Sequence, residues 1–175
     1  MHQLQVELFK PRVGGQDRCT MLRFSKLKRK CQNTCMVIDH IGVVVPSLEE
    51  AIQQWEELFG YKKNSEIVIN TRQRVRVVFL TQKKSLTVKL IEPSEPASPV
   101  SAFARRGGGL HHLCFRCDDL KVQIPLLKEK GAKFIVPPEP GEAFRNKKIA
   151  FFLAKHNLNV ELIDTTEKEG WPQEA

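Results

Sequence analysis

An internal repeat of 72 residues constrains this chain more than any other feature, because it admits only folds assembled from two copies of one small unit. Setting His40 on His112 places Leu48 on Leu120, Ile52 on Ile124 and Trp55 on Leu127 without a gap. The same offset carries Val77-Val78-Phe79 onto Ile149-Ala150-Phe151 and Val88 to Glu92 onto Val160 to Asp164. From Val37 onward each copy reads as strand, helix and then three strands. The expected fold is therefore α+β, two tandem βαβββ modules whose strands form one concave mixed sheet around a cleft. Module 1 covers 37–93, a linker 94–108 and module 2 109–166, so that the folded domain spans 36–166 with a tail at 167–175.

Local signals punctuate both copies. Ser47-Leu-Glu-Glu50 has the spacing of a capping box at a helix start, and Gly60 supplies its stop. The second helix follows Asp118-Asp119 and ends at Gly131; Pro125 inside it lacks a backbone donor, so a kink or a late start is expected. Pro93-Ser-Glu-Pro96-Ala-Ser-Pro99 reads as a loop, followed by a short helix over about 100–106 and a swivel at Gly107-Gly-Gly109.

Strands alternate their faces, so parity assigns each side chain a side. Ile41, Val43 and Val45 suit a helix-covered face, which leaves His40 opposite. Leu113 and Phe115 do the same for His112, Val88 and Leu90 for Lys89, and Val160 and Leu162 for Glu161. His40, His112, Lys89 and Glu161 are thereby expected on the concave face, with three usable metal ligands and one lysine. His111 falls on the helix side and reads as structural. Arg74, Arg76, Arg116 and Lys148 are assigned to the concave side as substrate-binding residues, and this cationic lining suits a small anionic substrate.

Net charge is +8, but residues 1–35 hold eight Lys and Arg against two acids, leaving a nearly neutral body with no electrostatic case for nucleic acid. That leader reads as a disordered basic arm, a mitochondrial-type presequence, or an extension upstream of a start at Met36. No stretch approaches the roughly 20 apolar residues of a membrane span. The expectation is a cytoplasmic protein without membrane partners, or a mitochondrial matrix protein if 1–35 is a presequence. Five cysteines, an odd number, argue against a disulfide framework, and Cys114-x-x-Cys117 reads as packed thiols. Short edge strands make a homodimer an expectation too.

IDHIGVVVPSLEEAI (38–52), GGGLHHLCFRCDDL (107–120) and NVELID (159–164) together resemble the vicinal-oxygen-chelate superfamily of glyoxalases, bleomycin-resistance proteins and dioxygenases, closest to its methylmalonyl-CoA epimerases. The resemblance implies one divalent ion (Co, Ni, Zn, Mn or Fe) held by His40, His112 and Glu161. Lys89 stands at the fourth ligand position, where such relatives carry Gln or Glu. Their EQG-like sequence is replaced here by Thr71-Arg72-Gln73-Arg74. The implied activity is isomerase or lyase chemistry that abstracts a proton next to a carbonyl or thioester, with Glu161 and Lys89 as catalytic residues and an acyl-CoA as one fitting substrate. Glyoxalase I-type lyase activity, ring cleavage by a non-haem Fe(II) dioxygenase, and metal-free binding of a small anion are the alternatives.

Overall fold

Strands β1 (Val37–Val44) and β6 (Gly109–Arg116) pair antiparallel at the centre of the sheet, and each opens one copy of the repeat. The computed structural model describes residues 36–172; the leader 1–35 lies outside the described residues. In the first copy, helix α1 (Leu48–Phe59) leads to the short strands β2 (Lys62–Lys63) and β3 (Val68–Asn70), then to β4 (Val75–Thr81) and β5 (Thr87–Pro93). A four-residue helix α2 (Ser101–Ala104) lies within the connecting segment. The second copy continues with α3 (Leu120–Glu129), β7 (Lys133–Gly141), β8 (Lys147–Leu153) and β9 (Asn159–Ile163). The strand order is β2-β4-β5-β1-β6-β9-β8-β7, with β3 also on β4. β5 runs parallel to β1 as β9 runs parallel to β6, so the pseudo-twofold passes between the two central strands.

The caps follow from sequence. Ser47 Oγ accepts from the Glu50 amide at 3.3 Å, and Gly60 closes α1 in the left-handed region at φ 69°. α3 starts directly after Asp119, whose side chain accepts from the Lys121 amide, and runs through Pro125. No late start is needed, because Asp164 also takes the Leu120 amide and anchors the first turn from the neighbouring strand end. The second strand differs between copies: β7 is continuous, whereas its counterpart is broken into β2 and β3. At that break Ser65 Oγ accepts the Phe79 amide at 3.0 Å, satisfying a donor that the ladder would otherwise have paired.

Three apolar clusters divide the interior. Val78, Leu80, Val88 and Leu90 pack under α1, and Ala150, Phe152, Val160 and Leu162 pack under α3. The third fills the concave face with Val75, Val77, Phe79, Phe144, Ile149 and Phe151. β4 and β8 are five strand positions apart, roughly 24 Å in a flat sheet. Yet Phe79 meets Phe144, in the turn before β8, at 5.9 Å between rings, and Thr71 donates to Glu142 at 2.6 Å. The sheet is therefore curled until its flanks touch.

Two glycines permit the central pairing. A Cβ on Gly42 would overlap the His112 ring, and one on Gly108, at φ 71°, would strike the Val44 carbonyl. Gly42→Ala is expected to cost about 1–3 kcal/mol by overpacking. Chemical denaturation measures it, and a shift of the His112 ring resonances should accompany the loss.

Candidate functional site

On the concave face three buried polar side chains converge on a fourth, Glu161. His40 Nε2 and His112 Nε2 lie 3.0 and 3.1 Å from the same oxygen, Glu161 Oε2. Lys89 donates to both Glu161 oxygens at 3.2 Å, and its ammonium sits 4.9 Å from the Phe144 ring centroid. None of the four is more than 2% exposed. Each comes from a different central strand, β1, β6, β5 and β9, so the sheet itself fixes their convergence.

Two β-bulges supply the next layer. The β1–β6 register slips between Ile38 and His40, which leaves Asp39 as an extra residue, and again between Gly42 and Val43, which leaves out His111. A bulged residue escapes strand parity and is re-aimed. Asp39 Oδ1 accepts from His40 Nδ1 at 2.9 Å, and His111 Nδ1 meets His112 Nδ1 at 3.0 Å. Asp39 and His111 are themselves 72 residues apart. The tail adds Lys168, buried, with Nζ 3.0 and 3.2 Å from the Asp39 oxygens.

Beside this cluster lies a cavity of about 290 Å³ with mostly apolar walls, including Val75, Val77, Ile91, Val136 and Phe151. Lys89 and His112 line it, together with His111, Arg72, Gln73, Glu139 and Asn159; Glu161 and His40 are not among its lining residues. Sequence parity missed His111 and Glu139. The doubled His111-His112 was the available signal for the first, whereas Glu139 sits in a strand with irregular pairing and has none.

The four assigned substrate-binding cations do not gather here. Val75, Val77 and Phe79 face inward, so Arg76 projects to the other face and pairs with Glu49 of α1 and Glu92 at 2.7 and 2.6 Å. Ile149 and Phe151 impose the same on Lys148, which is exposed. Arg74 occupies a turn at φ 55° and pairs with Glu95 at 3.5 Å. Arg116 reaches Asp39 at 3.5 Å rather than the cavity. Apolar residues on both faces of Val75 to Leu80 had removed the alternation that parity needs. Cys114 and Cys117 are buried free thiols, and burial pushes Cys117 up to about 11.

Burial opposes ionisation of Glu161, but the Lys89 charge and the contacts with His112 and His40 overcome it and hold the carboxyl well below its usual range. Desolvation lowers His112 to about 4, against the pull of Glu161, so it is neutral at pH 7. Two observations bear on whether a divalent ion fits. Both Nε2 atoms are buried without a hydrogen bond, which favours an ion by about 1–3 kcal/mol for each orphan satisfied. Against this, an ion bonded at about 2.1 Å to Glu161 would lie within roughly 5 Å of the like-charged Lys89 Nζ, which already takes both Glu161 oxygens. The charges also balance already: buried Glu161 and Asp39 are matched by buried Lys89 and Lys168. With Lys89 where it lies, the residues do not fit a divalent ion.

Unfolded, His112 titrates near 6.5; folded, near 4, so the unfolded chain binds the extra proton and stability falls as pH drops below about 6.5. Unfolding free energy is expected to fall by about 2 kcal/mol between pH 7 and pH 5 in denaturant titrations, and His112→Gln should remove most of that slope.

Residues 39–151 match the Glyoxalase/Bleomycin resistance protein/Dioxygenase superfamily. An uncharacterized protein of Bacillus subtilis is 32% identical over 134 residues, 76% of this chain and 93% of its own length. The ethylmalonyl-CoA/methylmalonyl-CoA epimerase of Cereibacter sphaeroides is 28% identical over 67% of this chain and 88% of its own. A solved structure of a serine-to-threonine variant of Streptomyces coelicolor methylmalonyl-CoA epimerase, in complex with 2-nitronate-propionyl-CoA, superposes with a TM-score of 0.66 at 25% identity, over 76% of this chain and 96% of that one. With a buried histidine pair and glutamate on the concave face of a twice-repeated sheet, and with this match, the chain belongs to the Glyoxalase/Bleomycin resistance protein/Dioxygenase superfamily.

Proposed function

We propose that the protein is an epimerase-type isomerase that removes and returns a proton on the carbon next to the carbonyl of an acyl-CoA thioester. The observation that carries this reading is Lys89, an ammonium at the wall of an apolar cavity and fixed by a buried carboxylate. A fixed positive charge in a water-poor site stabilises a developing enolate oxygen more strongly than it would in water. Two of the three Lys89 N–H groups go to Glu161, which leaves one for a thioester oxygen. Glu161 acts as the positioning residue, because Lys89 and His112 lie between it and the cavity wall.

The proton acceptor in this reading is Glu139, the carboxylate that lines the cavity. Taking the α proton sends the C–H electron pair to the carbonyl oxygen beside Lys89; protonated Glu139 then returns the proton after the planar enolate has turned its other face toward it, which inverts the carbon. A cavity of about 290 Å³ accommodates the acyl end of a thioester and leaves the nucleotide outside. Arg72, exposed at the cavity wall, offers a charge to a substrate carboxylate or phosphate. The relatives named as epimerases of methylmalonyl-CoA support this substrate class.

Incubation with methylmalonyl-CoA in heavy water, followed by NMR, measures deuterium entry at the α carbon. Glu139→Gln is expected to slow exchange by roughly 10²–10⁴-fold and Lys89→Met by about 10²–10³-fold. Tight binding of acyl-CoA thioesters without any exchange would replace the enzyme reading with that of a small-anion binding protein.

A further inference from the structure

Lys89 and Glu161 are repeat partners, 72 residues apart on β5 and β9, the two strands that run parallel to the central pair. The pseudo-twofold therefore faces an ammonium against a carboxylate at positions related by symmetry. Two aromatic rings flank the ammonium, with Nζ 4.9 Å from the Phe144 centroid and 6.0 Å from that of Phe79. Glu161 spends both oxygens on it. The histidine pair converges on the same carboxylate, and the other buried carboxylate, Asp39, is already matched by Lys168.

We infer that the Lys89 ammonium occupies the role of a divalent ion in this site, so that this member of the superfamily binds no metal and needs none. The metal-free state rests on geometry and charge alone; the catalytic use of the ammonium rests on the proton-transfer reading above. In that use the α C–H bond breaks, the proton passes to the Glu139 carboxylate, and the electron pair ends on a thioester oxygen that accepts an N–H of Lys89. Protonated Glu139 then returns the proton to the other face of the enolate carbon, the electron pair moves back from the oxygen to form the new C–H bond, and Lys89 keeps its proton throughout. A tethered cation cannot dissociate, so the site is complete as soon as the chain folds.

The full chain, purified with a chelator, is incubated with excess Co²⁺ or Zn²⁺, passed through a desalting column, and its metal counted by mass spectrometry alongside thermal melts. Wild type is expected to retain essentially no ion and to show no rise in melting temperature. Lys89→Gln, which removes the charge and adds an oxygen donor, is expected to hold one ion per chain and to melt higher with metal. His112→Ala in that background should abolish both effects. One ion per wild-type chain, lost with His112→Ala, overturns the inference, as does a folded Lys89→Gln chain that takes up no metal. If Lys89→Gln does not fold, Lys89→Met replaces it, and the wild-type count alone still decides against the inference if an ion is found. Metal counting needs no substrate, so absence of α-proton exchange would sink the epimerase reading and leave this one standing. Exchange unaffected by chelator would favour both; exchange that requires added metal would overturn the metal-free site while sparing the epimerase reading.

Discussion

The Glu161 carboxylate is wholly buried, and the centre of the fold is organised around neutralising it. An ion removed from water has to be met by opposite charge and by N–H donors, or the group neutralises instead. Lys89 supplies both the charge and the N–H donors, and the two histidine Nε2 atoms crowd one of the carboxylate oxygens within 3.1 Å without a hydrogen bond. Those three residues stand on three strands other than that of Glu161, so the contact cannot form until β5, β1, β6 and β9 lie side by side in register. The site is thus a product of the complete central sheet and not of either copy alone.

The second layer shows how a duplicated scaffold differentiates. Each histidine follows a bulged residue that reaches its Nδ1, but one is Asp39 and the other His111. His40 thus lies between two carboxylates, Asp39 at its Nδ1 and Glu161 at its Nε2. His112 lies between one carboxylate, Glu161 at its Nε2, and one imidazole, His111 at its Nδ1. The two histidines are equivalent in position and unequal in chemistry, and the bulges alone create the difference.

Much of the fold was legible because the repeat supplied two readings of each element. Ile41, Val43 and Val45 against His40, and Leu113 and Phe115 against His112, alternate cleanly, and both histidines face the cleft. Legibility failed wherever a strand departs from simple alternation. Val75 to Leu80 is apolar on both faces, so the sides of Arg76 and, by the repeat, Lys148 were assigned wrongly. His111 sits in a bulge, which no periodicity registers. Lys168 reached the site through a tail outside the repeat, where nothing in the pattern points inward, yet it is buried against Asp39 and the Phe79 and Trp171 rings.

A twofold repeat also constrains which charges its paired positions can hold. Residues related by the axis meet each other when they lie near it, so two like charges there would repel at close range in a site without water. Two carboxylates in that arrangement require a cation from outside to hold them together. One carboxylate facing one ammonium closes the balance from within the chain, at the cost of a permanently occupied position. Lys89 and Glu161 are that second solution; one layer away Asp39 is also neutralised from within the chain, by Lys168 of the tail, which lies outside the repeat. The consequence is a centre whose positive charge is fixed by covalent attachment, so its electrostatics depend on packing around Phe79 and Phe144 and not on the supply of an ion.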